Sequence, residues 1–204
     1  MASIARLDIT AFGGFAGLSF PKDTALQFRA YFGPGPVRLS TRADIPEVAL
    51  LETGHKALPE FIAINAKLAV SPEVRALIEE LEPGRHQFFS VTIQRERGAK
   101  PILRRDGTVL DTPYYVFNSS ERLDAVLIEK SVVEVNTYKT GLVTVSALPF
   151  NKPKTVLRRA VIEGHHVWTG QHHLGSDMFF SDTLTKAVLD RKWKGLMFIP
   201  LKEE

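Results

Sequence analysis

The stretch from Met178 to Leu201 reads MFFSDTLTKAVLDRKWKGLMFIPL, and it carries a clear local pattern. An apolar run at its start predicts a strand, and Ser181 follows at the position of a helix N-cap. Apolar residues then recur at helical spacing until Gly195, a residue type that commonly ends helices. A second apolar run predicts another strand. The stretch is therefore predicted to form a strand–helix–strand unit, which is a scaffold and by itself indicates no chemistry.

A similar pattern occurs earlier in the chain, between Leu68 and Ile93. Ser71 takes the N-cap position there, and the proline after it stands at the first helical position, where its missing N–H costs nothing. Aligning Ser71 with Ser181 also aligns the apolar positions of the two predicted helices, which are Val74 with Leu184, Leu77 with Ala187 and Ile78 with Val188. Two interpretations remain open: a supersecondary unit duplicated inside one domain, or chance similarity between two ordinary units.

The composition is that of a soluble globular protein, with 44% hydrophobic and 24% charged residues in a chain of 204. That length predicts a single domain spanning residues 1–204, with a core large enough to need no disulfide or metal. The absence of cysteine excludes disulfide frameworks, thiol catalysis and cysteine metal sites. A net charge of +3 permits a nucleic-acid or acidic partner without requiring one. No signal peptide is recognised and no apolar run reaches the ~20 residues of a membrane helix, so no membrane association is predicted.

Short strand-like segments dominate the rest of the chain. Asp106-Gly107 predicts a tight hairpin turn, and residues 132–138 and 142–148 predict two further strands. Residues 47–52 are predicted to form a short helix. Many strands with only two clear helices predict an α+β fold with a mixed, mostly antiparallel sheet.

Four of the six histidines lie close together around a tryptophan. His166 and His172 have five residues between them, a spacing found in metal sites, but no second motif completes a ligand set. Tryptophan is also over-represented among the residues that anchor protein interfaces. We therefore predict a partner-binding patch with no metal or cofactor, and a metal-dependent enzyme is the alternative. The predicted patch consists of His165, His166, Trp168, His172 and His173.

Two clusters of basic residues raise a second alternative, nucleic-acid binding, because lysine and arginine side chains can follow a phosphate backbone. Glu96 interrupts the first cluster, and acidic residues elsewhere balance both, as on ordinary solvated surfaces. The first cluster contains Arg95, Arg97, Lys100, Arg104 and Arg105, and the second contains Lys152, Lys154, Arg158 and Arg159.

Motifs of the common enzyme classes are absent from the sequence. It contains no Gly-x-Ser-x-Gly nucleophile elbow, no His-Glu-x-x-His metalloprotease motif and no P-loop. The glycine-rich segment at residues 12–17 has neither the Walker nor the Rossmann spacing and is predicted to be a plain turn. The sequence motifs therefore indicate no catalytic residues, and they predict no enzyme class.

An ordered set of motifs between residues 58 and 201 resembles one bacterial family. The set begins with the strand and helix that Ser71 joins, and it ends with the helix and strand that Gly195 separates. Between them stand Gln87-Phe-Phe-Ser-Val, Tyr115-Val-Phe-Asn, Leu123-Asp with Glu129-Lys-Ser, His166-Val-Trp and Phe180-Ser-Asp. In this order the motifs resemble the immunity proteins of polymorphic-toxin systems, the Imm11-type family, first catalogued as a domain of unknown function. Residues 1–57 match no part of that pattern.

The resemblance implies a cytoplasmic bacterial protein that is made beside a secreted toxin. Such a protein binds the cognate toxin domain and blocks it by stoichiometric occlusion, without catalysis, during interbacterial competition. Electrostatics would speed and direct the capture, and a slightly basic chain favours a toxin with an acidic or neutral docking face. Matching residues such as Ser71, Ser181 and Gly195 are expected to determine the fold and not the interface.

Overall fold

In a computed structural model, the described residues are 1–8, 18–21, 42, 45–52, 57–65, 67–98, 100–137, 139, 143–149, 153–171 and 178–204. Over these residues the chain alternates short strands with a few helices. The strands are β1 (Ser3–Leu7), β2 (Leu18–Ser19), β3 (Val48–Leu51), β4 (Ala57–Leu58), β5 (Phe61–Ile64), β6 (Lys67–Val70), β7 (Gln87–Arg95), β8 (Leu103–Arg104), β9 (Tyr114–Asn118), β10 (Arg122–Leu123), β11 (Val133–Thr137), β12 (Val143–Ala147), β13 (Val156–Leu157), β14 (Val167–Gly170), β15 (Met178–Phe180), β16 (Leu196–Pro200) and β17 (Lys202–Glu203). The helices are α1 (Pro72–Leu81), α2 (Arg159–Ile162), α3 (Asp182–Asp190) and a 3-10 turn at Ile128–Lys130.

The strands form two main sheets. The first has six strands in the order β2-β3-β7-β9-β6-β5, and the second has five in the order β10-β14-β15-β1-β16. Three two-stranded ladders, β4-β8, β11-β12 and β13-β17, accompany them. Most neighbouring strands are antiparallel, while β3-β7, β10-β14, β4-β8 and β13-β17 are parallel. The arrangement confirms the predicted α+β fold with mixed, mostly antiparallel pairing.

The two predicted strand–helix–strand units have the same topology. In the first unit, β6-α1-β7, the two strands are parallel and β9 lies between them, antiparallel to both. In the second unit, β15-α3-β16, the strand β1 takes the equivalent place. The flanking strands also correspond, since Phe61 of β5 lies opposite Val70 as Val167 of β14 lies opposite Phe180. Shared topology and register favour the duplication over chance similarity.

Each unit begins its helix as the sequence predicts. Ser71 Oγ accepts a hydrogen bond from the Val74 N–H at 3.5 Å, and Ser181 Oγ accepts one from the Leu184 N–H at 3.2 Å. These bonds satisfy backbone donors that a helix leaves unpaired at its N-terminus. The predicted apolar stripes face the core, with Val74, Leu77, Ile78, Leu184 and Val188 buried and Ala187 partly buried.

Three clusters of buried apolar residues cover the faces of the sheets. The central cluster contains residues of α1, α3 and both sheets, and the Phe61 and Phe180 rings within it have centroids 6.4 Å apart. Successive strand residues point to opposite faces of a sheet. The strand residues that face away from the central cluster therefore belong to two outer clusters, one on each sheet. Both units therefore share the central cluster. The single domain spanning residues 1–204 stays a prediction.

One local prediction is wrong. Residues 48–51 form β3 and not the short helix predicted for residues 47–52, and β3 pairs in parallel with β7. Ala49 and Leu51 are buried while the residues between and before them are half-buried, which is the period of a strand. The neighbouring strand decided the conformation of a segment whose local preference is weak.

Two predicted turns have different outcomes. The Asp106-Gly107 turn is confirmed, since Gly107 has a φ of +87° and the Arg104 N–H donates to the Thr108 carbonyl at 2.8 Å. The turn predicted at residues 12–17 lies outside the described residues.

Within the described part of the chain, no helix is long and apolar enough to span a membrane.

Candidate functional site

The predicted histidine patch includes a core residue. Trp168 is 1% exposed, and its indole stacks on a phenylalanine ring with centroids 5.8 Å apart, so the indole has a packing role. His165 is partly exposed, and its Nδ1 lies 3.6 Å from a carboxylate oxygen of Glu121. His172 and His173 lie outside the described residues. An interface role for the patch as a whole therefore stays a prediction.

His166 joins the start of β14 to the start of α3. Its Nδ1 lies 2.9 Å from Ser181 Oγ, the same hydroxyl that caps α3. Its backbone carbonyl accepts a hydrogen bond from the Ser181 N–H at 2.9 Å. A serine beside a histidine can act as a nucleophile with its base. The same hydroxyl also accepts the capping N–H of α3, so the pair helps to hold the start of this helix.

The described residues offer no ready metal site. No group of three or more histidine, aspartate or glutamate side chains in that part of the chain is placed to hold an ion. Because two of the clustered histidines lie outside it, the metal alternative is a question for direct metal analysis.

Glu82 forms a buried joint between the two units. The side chain follows α1, and its two oxygens accept hydrogen bonds at 2.9 Å from the N–H groups of His166 and Val167 at the start of β14. His86 Nε2 lies 2.9 Å from the same carboxylate. Burial acts to raise the pKa of Glu82, but these hydrogen bonds outweigh it and hold that pKa below its ordinary value. Glu82 is therefore a charged cross-link at neutral pH.

A reciprocal joint connects the second unit to the first. The Phe61 N–H at the start of β5 donates to the Lys194 carbonyl at 3.1 Å, and the Lys194 N–H donates to the Glu60 carboxylate at 2.8 Å. The adjacent Gly195 has a φ of +105°, and a Cβ there would lie 1.9 Å from the Phe61 carbonyl oxygen. Only glycine fits this approach. The loop after each helix thus binds the strand that flanks the other unit.

An open groove of about 400 Å³ lies beside this second joint. Its floor includes Tyr114, whose hydroxyl donates to the Pro59 carbonyl at 2.7 Å. Burial, and then the nearby carboxylate of Glu60, raise the pKa of Tyr114, so the phenol remains a neutral donor. The charged and aromatic residues that line the groove are Glu60, Glu73, Arg104, Arg105, Asp106, Tyr114, Arg191 and Trp193.

Several charges in the groove are paired within the chain. Arg104 lies 2.8 Å from the Glu73 carboxylate and 3.4 Å from that of Asp111. Arg105 lies 3.3 Å from the Glu60 carboxylate. Burial acts to raise the pKa of Glu73, but hydrogen bonds, including one from Arg104, outweigh it and leave that pKa lowered. Glu73 is therefore ionised at neutral pH.

Arg191 differs from these two arginines. It caps the C-terminus of α3, where its Nη1 donates to the Ala187 carbonyl at 3.1 Å. Its guanidinium lies over the Trp193 ring, 5.4 Å from the centroid. The side chain is exposed, and it has no carboxylate partner among the described residues. A guanidinium carries five N–H donors, so most of its donors remain available to a ligand.

Three other members of the predicted basic clusters make contacts within the chain. Arg95 and Arg158 donate to backbone carbonyls. Arg159 lies 3.6 Å from the carboxylate of Glu203. Lys152 lies outside the described residues.

The sequence does not predict the groove, although it contains two signals. Arg104 and Arg105 belong to a predicted basic cluster, and Trp193 stands between two lysines just after α3. Nothing in the sequence indicates that these segments meet, because the joint between Lys194 and Phe61 that brings them together crosses between the two units.

Comparison with known proteins places the chain in a family. Its residues 24–203 match the family model described as Immunity protein family (Imm11). No curated protein matches the chain. The match extends into residues 24–57, which the motif comparison alone left unmatched, and it contains both strand–helix–strand units, both joints and the groove. Because the matched region is most of its length, the chain belongs to the Immunity protein family (Imm11).

Proposed function

We propose that this protein binds and neutralises a cognate secreted bacterial toxin domain by stoichiometric occlusion. The observation that carries the proposal is the family match over residues 24–203. The protein would act in the cytoplasm of the cell that makes the toxin and of its kin, as part of a polymorphic-toxin system used in interbacterial competition. Occlusion requires a tight complex and no chemistry from the immunity protein, so the proposed role is not catalytic.

The roles of two histidine pairs support a non-catalytic mechanism. His166 contacts the serine that caps α3, and His86 contacts Glu82 in the buried joint between the units. Histidine, serine and glutamate are the side chains that enzymes most often use for nucleophilic and acid–base steps. At these positions they are engaged in holding the fold.

An ordinary protein interface can supply the binding free energy that occlusion requires. A dissociation constant of about 1 nM corresponds to about 12 kcal/mol of binding free energy. Interfaces that bury about 1,600 Å² commonly reach such affinities when a few well-placed anchor residues are present. The protein therefore needs one complementary surface on its rigid two-sheet framework.

Co-expression with the toxin domain encoded by the neighbouring gene tests the proposal. We expect the toxin domain alone to stop growth, and this protein to restore growth and to co-purify with the toxin in equimolar amount. Protection should rise in proportion to the immunity protein until the two are equimolar. Protection at far lower ratios would indicate an enzyme that inactivates the toxin. A folded protein that neither binds nor protects would contradict the proposal for that pair.

Two further measurements separate the alternatives. Elemental analysis of the purified protein should find no stoichiometric metal, whereas a metal-dependent enzyme would carry one ion per chain. A nucleic-acid-binding module would bind oligonucleotides with an affinity that falls steeply as salt rises. We expect no such binding at physiological ionic strength.

A further inference from the structure

The groove beside the second joint has the dimensions of a binding site. Its volume of about 400 Å³ lies within the range of pockets that hold several side chains or a small ligand. Both units contribute to it, Arg104 and Arg105 from the segment after β7 and Arg191 and Trp193 from the segment after α3. Rigid strands and a helix end therefore fix its walls, and rigid walls reduce the entropy lost on binding.

The electrostatics of the groove favour an anionic ligand. Its acidic side chains have partners within the chain: Glu73 pairs with Arg104, Glu60 with Arg105, and Asp106 accepts two hydrogen bonds from Thr108. The same pairs occupy two of the three lining arginines. Among the described residues, the remaining one, Arg191, has only a backbone carbonyl and an aromatic face as partners. Arg191 is therefore the lining arginine with donors open to an anionic group.

Arg191 and Trp193 also have the character of interface anchors. The indole holds the guanidinium in place, so less side-chain entropy is lost when the guanidinium binds a carboxylate with two parallel hydrogen bonds. Arginine and tryptophan are enriched among the few residues that supply most of the energy of protein interfaces. The neighbouring Lys192 and Lys194 are exposed and add positive charge to the loop that carries Arg191 and Trp193.

We propose that this groove is a docking site for an acidic segment of the toxin domain, with an aspartate or glutamate of that segment bound by Arg191 over Trp193. The inference rests on the proposed function and adds the surface and its chemistry. An acidic protein segment complements the positive charge of the loop that carries Arg191 and Trp193, and the mixed polar and aromatic lining fits an extended peptide better than a lone ion. The occluding interface then spans both units and depends on the joint that holds them together.

Binding assays with the toxin domain of the neighbouring gene test the inference. Arg191→Glu should raise the dissociation constant by about a hundredfold, and Arg191→Gln and Trp193→Phe should each raise it by about tenfold. Arg159→Ala, which removes an exposed arginine that does not line the groove, should change it less than about twofold. Thermal melting of each variant verifies that it is folded, and Arg191→Gln should also weaken the salt dependence of binding.

A charge exchange gives the sharpest form of the test. If a toxin aspartate or glutamate pairs with Arg191, then changing that residue to arginine should restore binding to Arg191→Glu and weaken binding to the original protein. Unchanged affinity in folded Arg191→Glu would overturn the docking site while the proposed function stands. The same holds if the variants lose only binding to an oligonucleotide or to inorganic phosphate. A wild-type protein that fails to bind the toxin domain would overturn the proposed function and, with it, this inference.

Discussion

The two strand–helix–strand units share topology, register and helix capping. They differ at the corner where the flanking strand starts beside the N-terminus of the helix. At the start of β14, the imidazole of His166 fills the corner by contacting the hydroxyl of Ser181. At the start of β5, Glu60 occupies the equivalent position, and its carbonyl accepts the Ser71 N–H at 2.8 Å. Its carboxylate instead turns to the Lys194 N–H, and the corner opens into the groove. One repeated backbone thus supports a structural corner in one copy and an accessible site in the other.

The two joints between the units show a second difference. Both connect the loop after a helix to the strand that flanks the other unit, so they are reciprocal in geometry. The first uses the buried carboxylate of Glu82, whereas the second uses a close backbone contact that requires Gly195. Both joints use a carboxylate, but only the second also depends on a close steric fit, so each can be broken by a different substitution.

The largest effect is expected from Gly195→Ala. A Cβ at this position would meet the Phe61 carbonyl oxygen at 1.9 Å, and the backbone φ of +105° is already unfavourable for alanine. We expect a loss of about 4 kcal/mol or more in the free energy of unfolding, measured by urea denaturation. Gly84→Ala is the matched control, because Gly84 follows α1 with a φ of +68° but has open space around it. It should cost only about 1–2 kcal/mol. Equal losses would show that the close contact is not decisive.

Glu82→Gln should have the next largest effect. The amide cannot accept hydrogen bonds from all the N–H groups that donate to the carboxylate. We therefore expect a loss of about 2–4 kcal/mol in the free energy of unfolding. The exposed Glu80→Gln on the same helix should stay within about 0.5 kcal/mol of the original protein.

The pH dependence of stability tests whether Glu82 is charged in the first joint. Because the pKa of Glu82 is lowered in the folded protein, its contribution is present above the ordinary value of 4.5 and is lost as pH falls through the folded pKa. Urea denaturation at several pH values should show a steeper acid loss in the original protein than in Glu82→Gln. Parallel pH profiles of the two proteins would contradict the assignment of charge to this joint.

The two helix caps should differ by a smaller amount. Ser71→Ala should cost about 1 kcal/mol, since it removes the acceptor for one backbone N–H of α1 and a hydrogen bond to the half-exposed Glu73 carboxylate. Ser181→Ala removes the equivalent cap of α3 and also the contact with His166, so it should cost about 0.5–1 kcal/mol more. Thermal unfolding followed by circular dichroism measures both. A larger loss for Ser71→Ala would show that the His166 contact adds no stability.

The smallest expected effect is a gain. Lys192 follows α3 with a φ of +55°, in a region of backbone space where glycine is unstrained. Lys192→Gly should therefore raise the free energy of unfolding by about 0.5–1 kcal/mol. If the charge of this loop contributes to docking, the same variant should bind the toxin domain more weakly, so stability and binding would change in opposite directions. A destabilised variant would show that the backbone at this position carries no strain.

Local signals in the sequence were sufficient for the two strand–helix–strand units. Ser71, Ser181 and Gly195 act through their immediate neighbours, and the apolar stripes of both helices follow a short period, so each can be recognised without a partner. The motif resemblance identified the family for the same reason. The short segment at residues 48–51 has weak local preference, and its strand conformation depends on β7.

The sequence by itself therefore determined the two strand–helix–strand units, the fold class and the family. Tertiary structure decided which residues meet: it buried Trp168, which the sequence pattern indicated as an interface anchor, and it placed Arg191 and Arg104 in the lining of one groove. The physical reason is one of range. Capping and periodicity act over a few residues along the chain, whereas burial and ion pairing depend on how distant strands are ordered in the two sheets.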